Sequence, residues 1–437
     1  MHYIPNTKED EKKMLKKIGV KNFEELVKII PKKFRIKNLN LDRPASELEI
    51  ENEIDTLGKT NKQNICFIGN GVYDHYIPKA IDFITSRSEF YTAYTPYQPE
   101  VSQGTLQCLY EFQSMICRLS GMDVANASLY DGASALAEAC SLSVSYSKKN
   151  IILYSSTLNT KYIDVVKTYL NPKNIKFIEI PSKKGVTQLS FIKNLKNQIA
   201  CCIVQSPNSY GIIENFKSAK RALNDQNTIL IAVSDPLALS VLGEPGTSGA
   251  DIYVGEGQVL GTPMSFGGPM LGLIAVKKYL MRKMPGRIVG KTVDLNGDVG
   301  FVLTLQTREQ HIRRENATSN ICTNQGLLAL RALVYMSLLG ENGMRDVIQL
   351  CYNKSHYAAR KITSLPNFNI LYNQTFLKEF VVETKTSAEQ IINYCNDNGI
   401  YIQKPSNDKT DRRLLICVTE KRTKDQIDKL YEVLKSY

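Results

Sequence analysis

The chain has 437 residues, 43% of them hydrophobic and 22% charged, the balance of an ordinary globular protein with room for two or three domains. No apolar run nears the roughly 20 residues of a membrane span, and the charged start lacks the apolar core of a signal peptide, so no membrane and a cytoplasmic setting are expected. The net charge of +12 comes from lysines dispersed along the chain with no nucleic-acid-binding motif beside them, which favours a Lys-rich surface or an acidic partner over nucleic acid. Ten cysteines stand without a C-x-x-C or a histidine at zinc spacing, so a reduced compartment and no metal are expected.

Residues 1–63 read as an N-terminal helical and extended arm. Thr7-Lys8-Glu9-Asp10 resembles a capping box, opening a helix that stops near Gly19. A short apolar stripe, Phe23, Leu26, Val27 and Ile30, ends at Pro31, and an irregular segment continues to about residue 60. From residue 64 a Gly-punctuated aromatic stretch, Cys66 to Pro78, suits a backbone threading close to something rather than a periodic element. Next comes an aromatic loop, Glu89 to Glu100, held out of helix by Pro96 and Pro99. Its polar-tipped rings are suitable lining for a small-molecule pocket.

Leu106, Leu109, Tyr110, Ile116 and Leu119 give an amphipathic helix closed by Gly121. The turn Asp131-Gly132-Ala133-Ser134 then opens an Ala-rich helix, and its N–H groups suit either a phosphate or an ordinary cap. From 151 to 276 apolar runs alternate with helical segments: 151–154, 176–180, 201–204, 229–233, 251–254 and 271–276. Such runs are expected of strands covered on both faces, hence an α/β layered, mainly parallel sheet.

Asp235 closes the 229–233 strand, and a Gly-rich turn follows the next strand, 251–254. In pyridoxal-phosphate (PLP) enzymes of the aspartate-aminotransferase-like fold, such an acid holds the pyridine nitrogen and a lysine past the next strand forms the Schiff base. Counting back from Gly267-Gly268-Pro269, the lysine position holds Gln258, which cannot form an imine. Lys277 and Lys278 come too late for that geometry, although a self-sufficient PLP enzyme would need one of them. The polar segment 304–325 carries Arg308, Arg313, Arg314 and His311 and suits an anionic ligand or a salt-bridged interface. A long helix, Gly326–Leu339, leads out of a large domain spanning 64–345. Strand and helix patterns beyond residue 365 read as a small α+β domain within 346–437.

Five strings, FIGNGVYDHYIP at 67–78, YTAYTPYQPEVSQGTLQ at 91–107, SLYDGASALAEA at 128–139, GTPMSFGGPMLG at 261–272 and QTREQHIRRENATSNICTNQ at 306–325, together with YIPNT at 3–7, closely resemble the glycine cleavage system P-protein family, in its subunit 1 form. The resemblance covers essentially the whole chain. It implies PLP fold type I: an aspartate-aminotransferase-like large domain plus the small C-terminal α+β domain. It also implies a reaction, in which glycine is decarboxylated with PLP and the aminomethyl group passes to the lipoyl arm of the H-protein.

The lysine-bearing half is then a second subunit, with which this chain forms an α2β2 heterotetramer. PLP is expected on that partner, none covalently on this chain, and no catalytic residue is assigned here. The resemblance offers Tyr94, Thr95, Tyr97 and Gln98, then His311, Arg313 and Arg314, as lining of the partner's active site. Asp235, Gly132 and Ser134 remain as vestigial cofactor contacts. Asn316 departs from the lysine expected in many relatives. An alternative role is a structural or regulatory subunit that contributes no substrate contacts.

Overall fold

The computed structural model describes residues 5–36, 38–194, 199–223, 228–321 and 323–437; Tyr3, Ile4 and Cys322 of the motifs above lie outside them. The chain falls into two compact units, residues 1–62 and 63–437.

In the first unit the capping box is formed: Thr7 Oγ1 accepts the Asp10 N–H and Asp10 accepts the Thr7 N–H. It opens α1 (Lys8–Ile18), which ends at Gly19 in the left-handed region (φ 87). The stretch to residue 60 was expected from the sequence to be irregular, but it contains a helix. Ser46 and Glu49 form a second reciprocal capping box that starts α2 (Glu47–Lys59). Leu48, Ile50, Ile54 and Leu57 on it are exposed, and Leu15 is the one buried residue among those described in this unit.

The second unit is built on a seven-stranded sheet. Its strands are β1 (Val124–Ala125), β2 (Ile151–Ser155), β3 (Lys176–Ile180), β4 (Ile199–Gln205), β5 (Ile229–Val233), β6 (Ile252–Glu256) and β7 (Gly272–Val276). They lie side by side in the order β1-β7-β6-β5-β4-β2-β3, with β7 antiparallel to both its neighbours and the other pairings parallel. Alternate residues of each strand enter two apolar cores. Cys202, Val204, Leu230, Ala232 and Tyr253 pack with α3 (Gln103–Ser120) and the start of α6 (Gly326–Ile362). Cys201, Ile203, Ile229, Ile231 and Val254 pack with α4 (Gly132–Ser147) and α5 (Thr160–Leu170). Strands covered on both faces lose the polar alternation of a half-exposed sheet, which explains their sequence pattern. Residues 134–143 of α4 are all buried, and Ala135, Ala137 and Ala139 let the helix lie close to its neighbours.

Beyond the sheet, β8 (Ile288–Val293) and β9 (Val299–Thr304) form an antiparallel hairpin. The helix α6 runs past the expected end at Leu339 but breaks at Gly340, whose backbone (φ 61, ψ −173) is a conformation reserved for glycine. A three-stranded antiparallel sheet follows, β10 (Phe368–Ile370), β11 (Glu379–Thr384) and β12 (Arg413–Cys417), in the order β10-β11-β12. With α7 (Ala388–Asp397) and α8 (Lys424–Ser436) it has an apolar core of its own, centred on Phe380, Ile391, Ile416 and Leu430. Among the described residues, no helix is long and apolar enough to cross a membrane.

Candidate active site and its relatives

The carboxyl ends of β4, β5 and β6 place Asp235 and Gln258 beside the threaded segment 66–76, at the edge of the sheet where α/β folds gather ligands. Gln258 is 1% exposed. Its Oε1 accepts the Tyr73 N–H at 3.0 Å, and its Nε2 donates to the Tyr73 carbonyl at 3.0 Å and the Thr262 carbonyl at 2.7 Å. Both amide hydrogens are therefore committed. The side chain pins the threaded segment to the sheet and has no hydrogen left to donate to a ligand.

Asp235 faces a residue that sequence reasoning missed. Lys378, one position before β11, reaches Asp235 Oδ2 with Nζ at 2.5 Å, and both side chains are buried. Nζ also lies 3.0 Å from His75 Nε2 and 3.4 Å from the centre of the Tyr73 ring. Burial works against the ammonium, but the negative groups around it, the facing Asp235 carboxylate first among them, hold the amine above the usual lysine range. His75 bridges Lys378 and Glu420, with its Nδ1 2.6 Å from Glu420 Oε2. Burial alone would raise Glu420; the His75 contact and the Tyr76 N–H at 2.6 Å outweigh it and pull the acid down to about 2. Next to Lys378, Glu379 accepts the Asn70 N–H at 2.5 Å and the Tyr73 hydroxyl at 2.8 Å, while burial pushes its carboxyl up. Gly69 and Gly211 close on this residue, and a Cβ at Gly211 would come within 2.0 Å of the Glu379 carbonyl oxygen.

The N-terminus of α4 is also taken. Glu256, at the end of β6, accepts the Gly132 N–H at 2.8 Å, and Asp131 accepts the Ser134 N–H at 2.7 Å. Burial pushes Glu256 up to about 7 despite backbone N–H donors from Leu271, Gly132 and Gln258. A phosphate there would meet two carboxylates, and a Cβ at Gly132 would lie 2.5 Å from the Tyr162 hydroxyl.

These residues do not fit PLP. The cavity left between Asp235, Tyr162, Glu256, Lys378 and Glu379 is about 40 Å³, the space of a few waters against the several hundred Å³ of a cofactor pocket. Asp235 is paired, Gly132 and Ser134 bond carboxylates, and Gln258, where a Schiff-base lysine was expected from the sequence, is an engaged amide. The groups of Asp235, Gly132 and Ser134, expected from the sequence to be vestigial contacts, are bonded by other side chains of the chain.

The other expected residues lie elsewhere on the second unit. Tyr94, at 84% exposed, Tyr97 and Gln98 project from the aromatic loop, and Thr95 is half-buried. His311, Arg313 and Arg314 are exposed on the short helical turns after β9. The two groups are linked through the segment 284–287. Arg308 donates to the Met284 and Gly286 carbonyls, and Arg287 Nη2 donates to the Tyr97 hydroxyl at 3.2 Å. Arg313 lines the cleft beside Arg308, Arg282 and Lys283. His311 Nδ1 stands 3.6 Å from the Glu309 carboxylate.

The sequence model of the glycine cleavage system P-protein matches residues 1–434. The chain belongs to the glycine cleavage system P-protein family. The "Probable glycine dehydrogenase (decarboxylating) subunit 1" of Desulforamulus reducens is 46% identical over 444 residues, covering 98% of each chain. A crystal structure of glycine decarboxylase (P-protein) in inhibitor-bound form superposes with a TM-score of 0.92 at 36% identity, over 100% of both chains. A mutant of C-DES with glycine covalently linked to its PLP cofactor shares the fold at a TM-score of 0.63 and 12% identity, covering 87% of this chain and 98% of that one. The P-protein family thus carries the PLP fold type I, and its enzyme is glycine dehydrogenase (decarboxylating), an oxidoreductase whose subunit 1 form this chain resembles throughout.

Proposed function

We propose that this chain is the half of the P-protein that lacks the Schiff-base lysine, and that its partner subunit holds PLP. When bound there, PLP supplies the electron sink that glycine decarboxylation requires. The observation carrying this reading is Gln258: it stands where the resemblance leads one to expect the lysine, and its hydrogen bonds to Tyr73 and Thr262 commit it to structure. The filled space around Asp235 supports the same conclusion.

The chain's contribution is then made at its surface. Tyr94, Thr95, Tyr97 and Gln98 line the partner's active site, and His311, Arg313 and Arg314 hold a substrate carboxylate or the subunit interface. An α2β2 heterotetramer and delivery of the aminomethyl group to the lipoyl arm of the H-protein complete the reading. The exposure of the aromatic loop favours it, because rings left in water gain most by docking against another surface.

The test is co-expression with the lysine-bearing subunit, followed by glycine-dependent CO2 exchange with lipoylated H-protein, each subunit alone serving as control. Activity should require both chains. Tyr97→Phe and Arg313→Ala should reduce exchange while the two subunits still co-purify. Full activity in both variants would point instead to a subunit that makes no contact with substrate. Turnover by this chain alone would overturn the proposal.

A further inference from the structure

Arg287 is only 3% exposed. Its backbone is fixed just before β8, where its carbonyl accepts the Ala127 N–H at 2.8 Å. The guanidinium lies 5.1 Å from the centre of the Tyr97 ring, and Nη2 reaches the Tyr97 hydroxyl. Among the described residues, Nε and Nη1 are buried without a hydrogen-bond partner. A buried cation in this condition is costly, commonly by several kcal/mol, and persists where something else compensates it.

Arg308 is tied to the carbonyls of Met284 and Gly286, immediately before Arg287. Arg282, Lys283, Arg308 and Arg313 line a cleft formed by the preceding residues 282–286, where Glu309 is the one carboxylate among the lining residues; Arg287 itself does not line it. The segment 282–287 is therefore a concentration of positive charge, with one guanidinium held under an aromatic ring.

We propose that Arg287 and the Tyr97 hydroxyl form a receptor for a small oxyanion, a carboxylate or phosphate group carried by a small molecule. The planar guanidinium fork can take two oxygens of one group, and the Tyr97 hydroxyl is placed to donate a third bond. An amino-acid carboxylate and a phosphate ester share this chemistry. The inference rests on the chain alone and does not depend on which subunit holds PLP.

The test uses the isolated chain. Its thermal midpoint is measured in chloride buffers of matched ionic strength, with added inorganic phosphate in one arm and glycine in the other. At least one of the two should raise the midpoint in a saturable way. A response to phosphate alone assigns a phosphate ester, and a response to glycine alone assigns an amino-acid carboxylate. Arg287→Met should lose the response and, freed of a buried unpaired charge, unfold at a higher temperature than the parent without added anion. Arg287→Lys should bind at least tenfold more weakly, and it supplies the comparison if the Met variant fails to fold. The proposal is overturned if neither anion shifts the midpoint, or if the Arg287 variants respond as the parent does. No partner subunit takes part, so that failure would leave the co-expression assay untouched.

Discussion

Lys378 Nζ lies 2.5 Å from Asp235 Oδ2, joining the lead-in to the C-terminal sheet to the carboxyl end of β5 in the central one. Both groups are buried, so neither can turn to water if the other is removed. Lys378→Met should therefore destabilise the chain by about 3–5 kcal/mol, the usual result of leaving a buried ion without its partner. Adding Asp235→Asn should recover much of that loss. Urea titrations of the two single variants and the double variant measure the coupling. Additive effects would mean that the pair contributes no more than its separate packing.

Gln258→Lys supplies the amine that an imine requires but removes an acceptor for the Tyr73 N–H and places a charge against the Tyr73 and Thr262 carbonyls. A loss of about 3 kcal/mol or more is expected. No visible imine band should develop when the purified variant is mixed with PLP, because the cavity remains too small. Such a band, reducible by borohydride and mapped to residue 258, would refute the account of a filled site.

The aminotransferase-like sheet was readable because β2, β4, β5, β6 and β7 are covered on both faces, which leaves apolar runs in the sequence. Asp235 and Gln258 were readable because their meaning depends on strand ends close in sequence. Lys378 was not, since it acquires its role only where β11 meets the central sheet. Arg287 was hidden as a single charge between Gly286 and Ile288, with nothing nearby in sequence to show that it would be buried and unpaired. The β8–β9 hairpin left little signal, as its distal half is exposed and polar. The helix α2 did leave one: Ser46 followed by Glu49 is a capping box that could have been found.

Acid should expose the Glu420 contribution. Its carboxyl is held near 2 in the fold against 4.5 as the ordinary value, so its stabilisation is present above pH 4.5 and lost as pH falls through 2. The displacement corresponds to about 3 kcal/mol. Glu420→Gln should be less stable by roughly that amount above pH 4.5, with the gap closing as the pH approaches 2. Chemical denaturation across that range tests it, and a gap independent of pH would exclude the carboxylate as its source.

Gly211→Ala introduces a Cβ at a left-handed residue (φ 80), within 2.0 Å of the Glu379 backbone oxygen. Backbone cannot move aside as a flexible side chain can. A loss of at least about 2 kcal/mol is expected, read as a fall in the denaturation midpoint. Gly340→Ala, with open space around the new methyl, carries the backbone penalty without the collision and should cost less. Equal losses would contradict this difference in steric origin.

The helix N-terminus at Gly132 has a consequence for any attempt at reversal. Glu256 and Asp131 already neutralise its N–H groups, Lys378 already neutralises Asp235, and Gln258 already holds Tyr73 in place. Undoing one of these changes strands the partner that has adapted to it. On the reading proposed above, each single replacement toward a lysine-bearing site is thus uphill, and independent chemistry would take several replacements made together.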